Sequence, residues 1–232
     1  PKTFIEVGCG EAKLSKILCS RGLFGIGIDF SKRAIEKASD NMKSYIKSGK
    51  FSLIMQDFMK NDFDKKADLV FSAFVMEHVE DDLKFLIKIK KSANKNGVVI
   101  VGVPSCKDKW GIEDEIAGHL RRYDRKDLLT LFDSAGMNCG KIWSVGVPVS
   151  NILLGLSNLF ILKSEETNKK RLPLKYRTEN SGILEIPFKT IFPRFFKIVL
   201  NKFTMWPFFV LQRFFYNNTD RGLMMLVYAT PK

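Results

Sequence analysis

The chain predicts an α/β fold built on a doubly wound, mostly parallel sheet. Three observations carry the prediction. Short apolar runs alternate with helix-length amphipathic stretches, a glycine turn follows the first run, and an acid ends the second. Strands covered by helices on both faces are buried on two sides, so such runs are nearly continuous in apolar residues.

Residues 3–7 read as a strand ended by Gly8, Cys9 and Gly10. Residues 11–21 have helical spacing, with Leu14, Ile17 and Leu18 on one face and Gly22 as a stop. Residues 23–28 form a second strand ending at Asp29, and Ser31 caps a helix to residue 48. Residues 51–56 are a third strand, followed by Asp57 and Phe58, and residues 67–73 a fourth, ending at Ala73. A helix over 81–94 leads to a fifth strand over 97–103, closed by Pro104. Right-handed crossovers between these strands make them parallel neighbours.

The rhythm then changes. Residues 105–124 read as a polar loop, 125–135 as a helix stopped by Gly136, and 137–147 as a sixth strand. Residues 223–230 read as a last strand. The expected organisation is a core over 1–150, a basic aromatic insertion over 151–220, and the final core strand within 221–232.

Composition limits the partners. The chain has 232 residues and a formal charge of +13, with 45% hydrophobic residues. Between Asn151 and Lys232, thirteen Lys and Arg face five Asp and Glu, and 14 of the 28 aromatics lie there. Basic plus aromatic surface suits an anionic membrane or a nucleic acid. Within this region, residues 188–216 alone hold eleven aromatics. A cap packed over the core, a membrane or lipid contact, and single-stranded nucleic acid all fit that pattern.

Residues 142–162 carry no charge over 21 positions, but Gly146, Pro148, Asn151 and Asn158 interrupt them, and no span is expected. Cys9, Cys19, Cys106 and Cys139 form no metal-ligand spacing, and scattered thiols point to a reducing cytoplasm. Pro1 stands almost directly on the first strand, the start expected of a fragment lacking an upstream helix.

Glu6-Val7-Gly8-Cys9-Gly10-Glu11-Ala12 lies between strand and helix, where doubly wound sheets bind nucleotide-like ligands. Gly8 and Gly10 permit a tight turn and close backbone approach, and Ala12 is the third small residue. Asp29, 19 residues after Gly10, is placed to accept both ribose hydroxyls of an adenosine. Asp57 is placed to accept from its exocyclic amine. Nicotinamide cofactors use a similar turn. Glu6 inside the first strand, and the lack of a third glycine, argue for S-adenosylmethionine instead.

These residues resemble motif I of class I S-adenosylmethionine-dependent methyltransferases. Asp68 to Ser72 and Met76 to Asp82 are similar to the family's fourth strand and following turn. Asn96-Gly97 stands at its fifth-strand entry, with Asn96 replacing the usual proline. The run Val103-Pro104-Ser105, then Asp114, then Gly118-His119-Leu120-Arg121-Arg122-Tyr123 resembles a bacterial subgroup of the type 11, 12 and 23 kind. That subgroup is associated with cell-surface glycans, glycolipids and secondary metabolites. The resemblance implies a Rossmann-like, seven-stranded sheet with an antiparallel last strand. It also implies cofactor contacts at Glu6, Gly8, Cys9, Gly10, Asp29, Phe30, Asp57, Phe58 and Ala73.

On the acceptor side the chain has two histidines, His78 and His119, both in loops at the carboxyl ends of strands. Either is suited to proton abstraction near neutral pH, or to a loop-fixing hydrogen bond. Arg121, Arg122 and Tyr123 are placed to orient an anionic or sugar-bearing substrate, or to bridge the loop to acids such as Asp114. Glu77-His78 resembles the metal-binding Glu-x-x-Glu-His of quinone-pathway and small-RNA methyltransferases. Phe74 replaces its first glutamate, so no metal is expected.

The expected activity is methyl transfer to a small-molecule, glycan or lipid-linked acceptor, at oxygen. An RNA methyltransferase and a non-catalytic lipid- or protein-binding module are the rivals. The expected place is the cytoplasm, with a peripheral contact at the inner face of the membrane.

Overall fold

A computed structural model describes residues 1–163, 165–180, 201–217 and 221–232. The insertion's aromatics from Phe188 to Phe196 lie outside the described residues. Strands β1 (Thr3–Val7), β2 (Phe24–Asp29), β3 (Phe51–Met55), β4 (Ala67–Ala73) and β5 (Ala93–Pro104) alternate with helices α1 (Lys13–Ser20), α2 (Lys32–Lys47) and α3 (Asp82–Lys91). Then come α4 (Ile112–Ala117), α5 (Arg125–Ser134), β6 (Met137–Val145), α6 (Val149–Leu162), α7 (Leu174–Asn180), α8 (Lys202–Phe215) and β7 (Met224–Pro231).

The seven strands form one sheet in the order β3-β2-β1-β4-β5-β7-β6. The pairs β1–β2, β1–β4, β2–β3 and β4–β5 are parallel. β7 runs against its neighbours: the N–H of Ser105, just past β5, bonds Leu223 beside the start of β7, whereas Lys232 just past its end bonds Gly136 before β6. The strand order reverses between β1 and β4, the switch point where open sheets of this kind bind ligands.

The chain folds as two compact units: residues 1–103, 126–141 and 226–232 make the first, and residues 104–125 with 142–225 the second. In the first, Phe4 of β1 packs its ring 6.1 Å from Phe51 and 5.9 Å from Phe71. Ala38 and Met42 of α2, with Ala12 and Cys19, complete that cluster. The buried residues of α2 fall at 34, 38 and 42, every fourth position, which makes one helical face. Phe85, Leu86 and Ile89 of α3 and Leu128 and Phe132 of α5 are likewise buried.

In the second unit, Ile116 of α4 and Ile161 of α6 bury each other with Ile112. The expectation of an unstructured polar loop over 105–124 is corrected here. Residues 107–109 form a helical turn and 112–117 a short helix, because Asp114 accepts the Gly111 N–H and Ile116 and Ala117 turn inward. β5 also begins four residues earlier than expected, where its pairing with β4 shifts register between Ala67 and Leu69. Residues 142–162 divide into the end of β6 and helix α6, and no described helix is long and apolar enough to cross a membrane.

Candidate active site

The glycine turn is held against the end of β2. The N–H groups of Gly8 and Cys9 both donate to the Ile28 carbonyl, at 2.8 and 3.0 Å. Gly8 (φ +72°) and Gly10 (φ +52°) adopt left-handed backbone, as does Ala12 at the start of α1. The two glycines differ in their surroundings. A Cβ on Gly8 would lie 2.2 Å from Val75 Cγ2, whereas a Cβ on Gly10 would meet nothing within 4 Å. The open space over Gly10 is the cradle in which a ligand can approach the backbone.

Asp29 ties this cradle to the next helix. One carboxylate oxygen accepts the Gly10 N–H at 2.8 Å and the other the Ser31 N–H at 2.9 Å. Burial raises its pKa, against the lowering effect of these N–H groups. Each oxygen has a further lone pair with which to accept a ligand hydroxyl. Glu6 is 4% exposed, not a solvated charge, and accepts both the N–H and the hydroxyl of Ser15 in α1. Burial pushes its carboxyl up to about 7, the Ser15 bonds opposing and the Asp29 charge adding to the rise. Burial chiefly, with the charges of Asp29 and Glu6, also pushes the Cys9 thiol up, which disfavours its thiolate.

Asp57 accepts from the N–H groups of Met59 and Lys60, and its carboxylate lies 3.3 Å from the Lys60 ammonium. The Phe58 ring is buried, 6.1 Å from Phe63 and 6.0 Å from Phe85, so its side chain belongs to the core. Phe30 is largely exposed beside Asp29. Ala73 ends β4. Phe74, next in line, was given no cofactor role by the sequence, yet it holds a left-handed φ of +58° with its N–H on the Gly102 carbonyl, and is 42% exposed. Non-glycine residues in that region gather at functional sites. His78 ends the helical turn over Met76–His78, half-buried, with its N–H on Val75.

In the second unit, α4 and the chain after it build a compact charge network. Asp114 is fully buried. Its Oδ1 lies 2.8 Å from His119 Nδ1 and accepts from Arg122 Nε at 2.8 Å, and its Oδ2 accepts the Gly111 N–H. Burial acts to raise the Asp114 pKa, but the bonds from His119 and Arg122 outweigh it and hold the carboxyl below its ordinary range. Arg122 also donates to the Ser105 carbonyl at 2.9 Å. Of the residues expected to meet an acceptor, Arg122 therefore bridges the loop internally. Tyr123 is buried with its N–H on Pro104, and Arg121 is half-buried. The sequence placed Asp114 only as a neighbour of the arginines; its hub position is visible once α4 is seen to form.

Residues 5–101 match the family model described as a methyltransferase domain. A ubiquinone biosynthesis O-methyltransferase of Pelagibacter ubique is 30% identical over 97 residues, 42% of this chain and 40% of that protein. The chain spans less than half the length of the curated relatives it matches. Among solved structures, an S-adenosylmethionine-dependent methyltransferase from Clostridium acetobutylicum aligns with a TM-score of 0.51 at 14% identity, over 61% of this chain and 75% of that one. A 4+2 cyclase aligns with a TM-score of 0.61 at 15% identity, over 99% of this chain and 74% of that one. At such identities the structural likeness establishes the fold. Residues 5–101 thus resemble a methyltransferase domain, and the structural likeness shows the fold that the aligned S-adenosylmethionine-dependent methyltransferase shares.

Proposed function

We propose that the chain transfers a methyl group from S-adenosylmethionine to a hydroxyl of a small-molecule, glycan or lipid-linked acceptor. The observation that carries this reading is the cradle over Gly10, bounded by Asp29, inside the segment that matches a methyltransferase domain. The cofactor supplies a methyl group on a positively charged sulfur. The chain's own part is to bind and align, because an in-line displacement gains most from fixed geometry.

In this reading Gly8, Cys9 and Gly10 present backbone to the cofactor, and Asp29 accepts its ribose hydroxyls. Phe30 covers the adenine. Asp57 and the backbone of Phe58 meet its edge, and Glu6 shapes the turn from beneath. Ala73, with Phe74, borders the acceptor. His78 and His119 are each candidates for taking the hydroxyl proton, Arg121 is a candidate acceptor contact, and Arg122 and Tyr123 support their own loop. The O-methyltransferase relative supports oxygen as the acceptor atom.

A membrane surface is the proposed source of lipid-linked acceptors. In α8, Phe203 is 89% exposed, Trp206 63% and Phe214 79%, with Lys202 and Arg213 on the same helix. Apolar rings beside cations suit an anionic interface.

The reading is tested by incubating the chain with radiolabelled S-adenosylmethionine and a cell extract separated into lipid, glycan, small-molecule and RNA fractions. Label in the lipid, glycan or small-molecule fraction, lost in Asp29→Ala, is the expected result. Label in RNA alone, or in nothing, contradicts it.

A further inference from the structure

We propose that the amino ends of β1, β2 and β3 carry a second binding site, for an aliphatic anion. Its hydrocarbon tail lies on Phe24 and Ile26, and its carboxylate or phosphate head among Lys50, Lys65 and Lys66. The site is a strand's length from the glycine turn and stands apart from the methyl-transfer reading.

Strand register explains why apolar surface is open here. Phe4 and Phe51 turn to the face of the sheet where Ala38 and Met42 of α2 pack. Side chains alternate along a strand, so Thr3 and Ile5 of β1, with their register partners Phe24 and Ile26 of β2, turn to the other face. Ser52 of β3 stands beside Ile26. Towards the carboxyl ends this second face is closed, with Ile5, Val7 and Ile28 buried. Towards the amino ends it is open. Phe24 is 50% exposed, Ile26 is half-buried and Ser52 is exposed. Sheets of this kind cover their faces with crossover helices, and the β3–β4 link, residues 56–66, contains none.

These residues line an open cavity of about 570 Å³, the size of a small-molecule pocket. Lys50, Lys65 and Lys66 line it too, and among the described residues none of the three has an ion pair. The acids beside them in the chain do not neutralise them. Asp64 makes no ion pair with a described residue, and the Asp68 carboxylate already accepts the N–H groups of Lys2 and Thr3 and the Asn94 amide. Three ammonium groups beside exposed apolar surface suit a ligand that is both anionic and apolar. An inorganic anion alone would leave Phe24 and Ile26 uncovered. A second copy of the chain is the poorer occupant, since it carries the same charge of +13 and is repelled.

The test uses four probes below any micelle-forming concentration: decanoate, decyl phosphate, decanol and inorganic phosphate. Calorimetry gives the affinity, and hydrogen exchange read by mass spectrometry gives the place. The expected result is one decanoate or decyl phosphate bound per chain, with slowed exchange in peptides spanning β2 and β3. The tighter of the two identifies the head as carboxylate or phosphate. The double variant Lys65→Gln, Lys66→Gln and the single variant Phe24→Ser each weaken binding roughly 5- to 10-fold. Both lysines are exposed and Phe24 half so, and circular dichroism should show both variants folded. The exposed rings of α8 are a competing apolar surface, so Phe203→Ser, Trp206→Ser should leave the protection of β2 and β3 unchanged.

Equal affinity for decanol would show the lysines to be idle, and equal affinity for inorganic phosphate would show the same of Phe24 and Ile26. Either overturns the proposal. Binding without protection of β2 and β3, or no binding of either amphiphile, overturns it as well. S-adenosylmethionine binding is titrated separately, so these outcomes leave the methyl-transfer reading as it stands.

Discussion

Glu6 sits under the glycine turn at a cost that depends on pH. Its carboxyl titrates at about 7 in the folded chain against 4.5 ordinarily, because burial disfavours the charge. Below 4.5 the group is neutral in both folded and unfolded chains, and nothing is lost. As pH rises from there to 7, the unfolded chain ionises first, so stability falls across that window. Thermal unfolding of Glu6→Gln should match the wild type at pH 4 and gain on it by about 1–3 kcal/mol at pH 8. A constant difference across pH would contradict this. The two glycines make a second prediction. Gly8→Ala meets Val75 and should unfold at a clearly lower temperature, whereas Gly10→Ala enters open space, should cost about 1 kcal/mol, and should still abolish S-adenosylmethionine binding. Asp29 and the glycines were legible in the sequence because their spacing is set by a strand–turn–helix geometry. The left-handed Phe74 and the inward ring of Phe58 were not, since neither backbone strain nor ring direction leaves a mark on residue type.

At the scale of elements, start signals were the most readable feature. Ser31 caps α2 by accepting the Ala34 N–H, and Asp81 caps α3 by accepting that of Lys84 at 2.8 Å. Ser31→Ala and Asp81→Ala should each lower the urea midpoint by the equivalent of about 1 kcal/mol, and an unchanged midpoint would show the caps to be idle. β4 was found at its observed bounds because its run is largely apolar, with only Asp68 and Ser72 polar. The extension of β5 and helix α4 were missed for physical reasons. The first depends on a register shift in a neighbouring strand, and the second on a carboxylate that becomes a cap only when its loop folds back. Polar residues over 105–124 read as loop because they would be solvated in isolation, yet Asp114 is buried by its own partners.

For the molecule as a whole, the charge of +13 and the exposed aromatics of α8 point the same way. Flotation with vesicles of anionic lipid should carry the chain at low salt. It should fail with neutral lipid, weaken as salt approaches about 1 M, and fall in the double variant Phe203→Ser, Trp206→Ser. Equal flotation with neutral vesicles, or none with either, would remove the membrane contact from the account. The sheet order was legible in outline because a parallel α/β sheet has few alternatives once its crossovers are right-handed, whereas the exposed face of α8 depends on which aromatics find partners. The central claim concerns the ligand over Gly10, and calorimetric titration of the same chain with S-adenosylmethionine and with NADH tests it most directly. Binding of S-adenosylmethionine alone, at least tenfold weaker in Asp29→Ala, is predicted; tighter binding of NADH, or an affinity for S-adenosylmethionine untouched by that substitution, would contradict it.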